Sequence, residues 1–226
     1  MGLPRGMVLA VSVAVAGGPG LAFGLAGAMA SVVAGLAVAG LLVLVAVLLP
    51  RGYPHDRLGL CNQVTLLRAA MVSALAGLLA AGWHGWVVFL LAGVALALDG
   101  VDGWLARREG LSSAFGARFD METDAALALI LAGHVWMAGI TGPEILVLGL
   151  MRYLFVLAFW PFPWLAAALP ERFGRKVVCV VQVGALILLQ IPDLPRVFAA
   201  LIAWPAMVAL LWSFGRDTLW LWRNRA

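Results

Sequence analysis

Long apolar stretches fill most of the chain, and short breaks rich in glycine, proline or charged residues separate them. Several stretches reach the roughly 20 residues that a helix needs to cross a bilayer. The pattern therefore predicts an all-α polytopic membrane protein, in which each apolar stretch is a helix and each break is a turn. After residue 50 the expected spans are residues 62–81, 86–107, a third that ends near residue 140, then 144–160, 176–191 and 196–214.

The first apolar stretch, residues 7–49, is long enough for two helices joined by a tight turn near residues 27–30. The segment Gly17-Gly18-Pro19-Gly20 contains helix breakers and leaves a second possibility, a short re-entrant piece before one long helix. Basic residues flank the stretch on both sides, and positive charges accumulate on the cytoplasmic side of a membrane. Both ends of the stretch are therefore expected on that side, which requires an even number of spans and favours two. The basic residues are Arg5, Arg51 and Arg57.

The composition excludes a soluble domain, because 64% of the 226 residues are hydrophobic and 12% are charged. The arginines behind the net charge of +4 lie in the short loops, which indicates membrane orientation and not nucleic-acid binding. These basic loops alternate along the chain with loops that lack arginine and lysine, which predicts six core spans with both ends of the core on the cytoplasmic side. The two cysteines, Cys61 and Cys179, form no metal-ligand pattern and are expected to be unbridged packing residues.

Four aspartates near the ends of two neighbouring apolar stretches are the strongest candidates for chemistry. Asp99 and Asp102 are spaced i,i+3, and Asp120 and Asp124 are spaced i,i+4. Each spacing places two side chains on one face of a helix, so two helices joined by the polar turn at residues 108–118 can bring four carboxylates together. Unpaired carboxylates are costly in a membrane, and divalent cations would remove that cost. Two close ions suit phosphoryl transfer.

The same region carries a longer pattern without a gap: Asp102-Gly103, two residues, Ala106-Arg107, eight residues, Gly116, three residues, Asp120, three residues and Asp124. This pattern resembles the signature of the CDP-alcohol phosphotransferases (CDP-alcohol phosphatidyltransferases), an integral-membrane enzyme family. Asp99 also falls where the family has its first aspartate. The resemblance implies a six-helix catalytic core at residues 51–226. The apolar stretch before it adds an N-terminal transmembrane hairpin at residues 1–50, which gives about eight transmembrane helices in all.

A second match lies at the start of the first core span, where Asn62, Thr65 and Arg68 follow one another at three-residue intervals. The segment resembles the family's first core helix, in which the Asn and the Thr help to bind the cytidine nucleotide. The family's usual preceding proline is replaced here by Cys61. Without the resemblance, Asn62 would pass as a helix cap and Arg68 as an arginine that extends to the membrane surface.

The resemblance implies further nucleotide contacts at Gly103, Ala106, Arg107 and Gly116. Small side chains let phosphates or ribose approach the backbone, and Arg107 supplies a positive charge.

Three basic residues are the candidate contacts for the acceptor. Arg152 stands within an apolar stretch and must face a cavity or a partner. The family usually has an Arg-Glu pair there, whereas this chain has Arg152-Tyr153. Arg175 and Lys176 form a basic entry to the next span, and with Arg152 they are candidate contacts for the acceptor's phosphate or carboxylate. Glu122 is expected to face solvent or an ion-pair partner, not a metal.

The expected reaction follows from the resemblance. Asp99, Asp102, Asp120 and Asp124 hold two divalent cations, Mg²⁺ or Mn²⁺, and Asp124 is also the general base. The donor is CDP-diacylglycerol or a similar CDP-linked lipid, the acceptor is a small alcohol, and CMP is released in phospholipid biosynthesis. The resemblance also implies a homodimer in the bilayer, in a bacterial cytoplasmic membrane, with the active site facing the cytoplasm.

Two other readings compete with the enzyme. A cation- or proton-coupled membrane transporter also uses intramembrane carboxylates, but it predicts acidic groups at mid-membrane and broken helices in repeats. A purely structural bundle does not explain four aspartates within apolar surroundings. The signature favours the phosphotransferase.

Overall fold

A computed structural model describes residues 7–55, 59–111, 113–170 and 172–225. These residues form α-helices, two short 3-10 helices and no β-strand, which confirms the predicted all-α polytopic membrane protein. In chain order the helices are α1 (Met7–Ala26), α2 (Ala28–Gly52), α3 (Leu60–Ala80), α4 (Trp86–Glu109), α5 (Ala114–Met137), α6 (Leu146–Leu157), α7 (Phe173–Leu188) and α8 (Arg196–Arg223). The 3-10 helices are Pro143–Ile145 and Pro163–Ala166.

Four of these helices are long and apolar enough to cross a membrane: α2 over Ala28–Leu49, α3, α4 and α8. The apolar part of α1 is shorter, Ala10–Ala26. The predicted end of the last span at residue 214 is wrong, because α8 continues to Arg223. No proline or glycine interrupts residues 216–223, and Asp217 and Leu221 are buried along the extension.

The N-terminal stretch forms two helices, as expected, and not one long helix behind a re-entrant piece. Gly27 separates α1 from α2 with a φ of 84°, a conformation that favours glycine. Pro19 lies inside α1 without ending it. Arg5 and Arg57, on which the expected even number of spans partly rests, lie outside the described residues, and the two-domain division at residue 50 stays a prediction.

Small residues bring the hairpin formed by α1 and α2 against α3. Ala22, Ala30 and Ala34 form a buried cluster, and Gly77 of α3 lies next to it. A Cβ atom on Gly77 would stand 2.3 Å from the carbonyl oxygen of Ala30 and 3.0 Å from the Ala22 Cβ. Close packing through small residues is a common way for membrane helices to associate.

Replacing Gly77 with alanine is therefore expected to lower stability by about 1–3 kcal/mol, because backbone must shift to admit the methyl group. The measurement is the thermal unfolding temperature of the purified protein in detergent. Gly93→Ala is the matched control, since Gly93 lies inside α4 and no neighbouring group lies within 4 Å of the place that its new methyl group would take. An unchanged unfolding temperature for Gly77→Ala would contradict the close approach of α2 and α3.

The core is arranged around α3, which packs against α1, α2, α4 and α5. By contrast, α4 and α5 have little direct backbone contact with each other, and α7 packs against both. Side chains from α3 and α7 can therefore reach the space between the two aspartate-bearing helices. On the other side of the bundle, α6 and α8 join α5 and α7 around an apolar core that includes Leu127, Leu131, Leu148, Leu186 and Leu210.

The two cysteines are both unbridged, as expected. Cys61 is buried in the first turn of α3, and Cys179 is exposed on α7.

Candidate functional site

The four aspartates come together between α4 and α5. Asp99 and Asp102 lie on α4, and Asp120 and Asp124 lie on α5. One carboxylate oxygen from each of Asp99, Asp120 and Asp124 lies within 4.8 Å of the other two. The helical spacing thus brings these three carboxylates together, as the sequence predicts, although α4 and α5 have little direct backbone contact.

Arg68 lies at the centre of this cluster. Its Nη1 is 2.9 Å from Asp99 Oδ1 and 2.9 Å from Asp102 Oδ2, and it also contacts Asp120. Its Nη2 contacts Asp124. The Arg68 side chain is 1% exposed, so its charge is balanced by these carboxylates and not by solvent.

The central place of Arg68 is the main feature that sequence reasoning missed. The sequence supplies one signal, because an arginine within an apolar helix needs a partner. That signal does not identify the partners, which come from two other helices.

Asp102 has a different environment from the other three aspartates. It is buried, and its Oδ2 accepts hydrogen bonds from Thr65 Oγ1 at 3.0 Å and from Arg68. The Thr65 hydroxyl is also 3.1 Å from the carbonyl oxygen of Cys61. Thr65, expected as a nucleotide contact, therefore helps to hold Asp102 in place.

The other three carboxylates are open to solvent on one side. Their side chains are 28% exposed at Asp99, 36% at Asp120 and 39% at Asp124, whereas Asp102 is 6% exposed. Asp99 lies ten residues before the end of α4, about 15 Å along the axis. The cluster therefore lies well before the end of α4, and one side of Asp99, Asp120 and Asp124 is accessible at the protein surface.

The donor set fits divalent cations. Carboxylate oxygens are hard ligands of the kind that Mg²⁺ and Mn²⁺ prefer. Four carboxylates face the single positive charge of Arg68, so three formal negative charges are left unbalanced where they meet. Further positive charge at the open side of Asp99, Asp120 and Asp124 would reduce their mutual repulsion.

The start of α3 lies beside the cluster. Asn62 is buried, and its Oδ1 is 3.1 Å from the position that a Cβ on Gly116 would take. Gly116 is therefore required for the close approach of α5 to Asn62. The expected room for a nucleotide at this glycine stays a prediction. Glu109, at the end of α4, accepts a hydrogen bond from the backbone N–H of Leu60 at 3.0 Å and so ties α4 to the start of α3.

The remaining expected nucleotide contacts lie on the last two turns of α4. Arg107 is exposed, whereas Gly103 and Ala106 are half-buried. The Arg107 Nη1 atom is 3.6 Å from the position of a Cβ on Gly103, so the guanidinium folds back along the helix over this glycine. The N-terminus of α5 is capped by Ser113, whose Oγ accepts a hydrogen bond from Gly116 N at 3.0 Å.

The three expected acceptor contacts occupy α6 and α7. Arg152 forms an ion pair with Glu122 of α5. Arg152 was expected to face a cavity or a partner, and Glu122 to face solvent or an ion-pair partner, so the pair agrees with both expectations. The Arg175 Nε atom lies 3.6 Å from Asp217 Oδ2 of α8, and the Arg175 guanidinium also donates a hydrogen bond to the carbonyl oxygen of Pro170. Lys176 is exposed. Because α7 packs against both aspartate-bearing helices, Arg175 and Lys176 are carried by an element that borders the cluster.

Comparison with known families finds a match for most of the chain. A family model described as CDP-alcohol phosphatidyltransferase matches residues 58–212. The matched segment includes both aspartate pairs, Arg68 and the start of α3, and it leaves the hairpin of α1 and α2 outside. Neither the comparison with curated proteins nor the comparison with solved structures finds a match.

Proposed function

The chain belongs to the CDP-alcohol phosphatidyltransferase family, and from that premise we propose that it transfers a phosphatidyl group from CDP-diacylglycerol to the hydroxyl of a small alcohol and releases CMP. The family as a whole transfers a phosphatidyl group from a CDP-alcohol. The observation that carries the proposal for this chain is the convergence of Asp99, Asp120 and Asp124 within 4.8 Å, with one side of each carboxylate exposed.

The family is generally dependent on divalent metals. Asp99, Asp102, Asp120 and Asp124 are proposed to hold two such cations, Mg²⁺ or Mn²⁺. When bound, the cations supply positive charge that neutralises the donor's diphosphate and stabilises the leaving CMP. The exposed sides of Asp99, Asp120 and Asp124 support this assignment, whereas Asp102 is held by Thr65 and Arg68 and contributes from the buried side.

Asp124 is proposed as the general base. Its side chain is 39% exposed, so an acceptor hydroxyl can reach it. Asp124 takes the hydroxyl proton while the hydroxyl oxygen forms a bond to the phosphorus on the lipid side of the diphosphate. The bond from that phosphorus to the bridging oxygen breaks, and the bridging oxygen leaves as part of CMP.

The nucleotide is proposed to lie at the start of α3 and the cytoplasmic end of α4. The small residues there leave the backbone accessible, and Arg107 is an exposed cation next to them. The proposed contacts are Asn62, Thr65, Gly103, Ala106, Arg107 and Gly116.

The acceptor is proposed to enter beside α6 and α7 and to be held by Arg152, Arg175 and Lys176. Arg152 and Arg175 already have carboxylate partners in Glu122 and Asp217, so an anionic acceptor would have to share or replace these pairs. Screening glycerol phosphate, inositol phosphate, serine and simpler alcohols with the purified protein would identify the acceptor.

Several properties of the assembly are proposed with the reaction. The apolar helices suggest an integral membrane protein. We expect it to be a homodimer in a bacterial cytoplasmic membrane, with the aspartate cluster facing the cytoplasm, where a water-soluble acceptor has access.

The purified protein is expected to release CMP from labelled CDP-diacylglycerol when Mg²⁺ or Mn²⁺ and a suitable alcohol are present. Chelation with EDTA should abolish the release, because it removes the metal ions whose positive charge neutralises the diphosphate. Excess Mn²⁺ should restore it. If no CDP-linked donor and no acceptor gives metal-dependent CMP, the enzyme proposal fails and the transporter alternative becomes the better one.

A further inference from the structure

We propose that Tyr53, which precedes the family-matched segment, is a positioning residue that fixes the orientation of the Asn62 amide in the nucleotide site. The inference rests on the proposed function, because it takes Asn62 to contact the nucleotide. It adds a residue from outside the matched segment to that site.

Tyr53 contacts the start of α3 through its phenol oxygen. The oxygen accepts a hydrogen bond from Asn62 Nδ2 at 3.4 Å and another from the backbone N–H of Gly59 at 3.3 Å. Tyr53 is 8% exposed, and Asn62 is 3% exposed. The pair is thus shielded from water. If one partner is lost, no water replaces it, and the other group is left without a hydrogen bond.

Aromatic packing holds the Tyr53 ring in place. Its centroid lies 5.6 Å from that of Phe115 and 5.3 Å from that of His55, in edge-to-face geometry. Phe115 in turn stacks on Phe119, with centroids 5.8 Å apart. The phenol oxygen therefore has a fixed position relative to α5, which also carries Asp120 and Asp124.

The Asn62 amide is constrained on both sides. Tyr53 occupies one hydrogen of Nδ2, and the backbone of α5 at Gly116 approaches Oδ1. An amide has two donor hydrogens and an acceptor oxygen, so the second Nδ2 hydrogen and Oδ1 can serve a nucleotide. The contact with Tyr53 holds one end of the amide in place and leaves the other polar atoms of Asn62 for a ligand.

The arrangement gives the N-terminal hairpin a part in the site. Tyr53 directly follows α2, and it belongs to the same buried cluster as Met7, Ala10 and Val45 of the hairpin. Docking of the hairpin therefore determines where the phenol oxygen lies. Phenylalanine would fill the same space, but it would lose the hydroxyl that contacts both Asn62 and the backbone N–H of Gly59.

The test is Tyr53→Phe, which removes the hydroxyl and keeps the ring. We expect the Kd for CDP, measured by calorimetry in the presence of Mn²⁺, and the KM for CDP-diacylglycerol to rise about 3- to 10-fold. The value of kcat should stay within about twofold, since Asp124 and the other carboxylates are untouched. Tyr153→Phe is the matched control, because it removes the other tyrosine hydroxyl in the chain and should leave CDP affinity unchanged.

A double variant separates positioning from general packing. If Tyr53 acts through Asn62, the variant with both Tyr53→Phe and Asn62→Ala binds CDP no more weakly than Asn62→Ala alone. Additive losses would overturn the inference, and so would an unchanged Kd and KM for Tyr53→Phe. A loss of CDP affinity that is matched by a large fall in unfolding temperature would assign Tyr53 a structural role instead.

The outcomes also distinguish this inference from the proposed function. If the wild type binds CDP and releases CMP but Asn62→Ala has no effect, the reaction stands and the Tyr53 inference falls. If the wild type neither binds CDP nor releases CMP, the proposed function fails and the inference falls with it.

Discussion

Replacing Asp124 with asparagine is expected to lower turnover by about 10²- to 10⁴-fold, the usual contribution of a general base. Asparagine is nearly isosteric but cannot accept the proton of the acceptor hydroxyl. Affinity for CDP in the presence of Mn²⁺ should be largely retained, because Asp99 and Asp120 still offer their oxygens and the residues at the start of α3 are unchanged. The measurements are kcat for CMP release and the Kd for CDP.

Asp193→Asn is the matched control for this prediction. Asp193 is an exposed carboxylate in the turn before α8, and its φ of 57° is one that asparagine adopts readily. The control should keep full turnover. Full turnover in Asp124→Asn would reject Asp124 as the base, whereas loss of both turnover and CDP affinity would indicate that Asp124 acts chiefly as a metal ligand.

Replacing Arg68 with methionine is expected to destabilise the metal-free protein by about 3 kcal/mol. The change removes the cation that contacts all four aspartates and leaves their charges to repel one another. The value lies at the low end for a broken buried ion pair, because Asp120 and Asp124 are more than a third exposed and water screens them. The unfolding temperature in detergent with EDTA should therefore fall by several degrees.

Divalent cations should reverse much of this loss. Mn²⁺ is expected to raise the unfolding temperature of Arg68→Met more than that of the wild type, because the variant's carboxylates have no competing guanidinium. Arg223→Met serves as the control, since Arg223 is exposed at the end of α8. Equal stability of Arg68→Met and wild type in EDTA, with equal shifts on adding Mn²⁺, would contradict the central role of Arg68.

The sequence predicted the helices well because each is a long apolar stretch bounded by glycine, proline or charge. It was least accurate at the last helix, where Gly215 and Arg216 follow the expected end at residue 214 but α8 runs on through them to Arg223. Hydropathy marks where a chain enters lipid, whereas the end of a helix depends on local breakers and on packing, as at buried Asp217.

Within the site, the convergence of the aspartates could be predicted, but their common partner could not. Arg68 gave a signal as a charged residue in an apolar helix, and Arg152 gave the same signal. The structure pairs Arg68 with four aspartates and Arg152 with Glu122. Nothing in the local pattern distinguishes these two arginines.

The sequence by itself determined that the protein is a bundle of membrane helices and that two aspartate pairs each share a helix face. Both facts depend on short-range periodicity, which the 3.6-residue turn fixes for any chain. Only the tertiary structure decided that Arg68 lies among the four carboxylates and that Tyr53 reaches Asn62. Those contacts join residues of different elements, and their geometry depends on how α1, α2, α4 and α5 pack against α3, which no local spacing records.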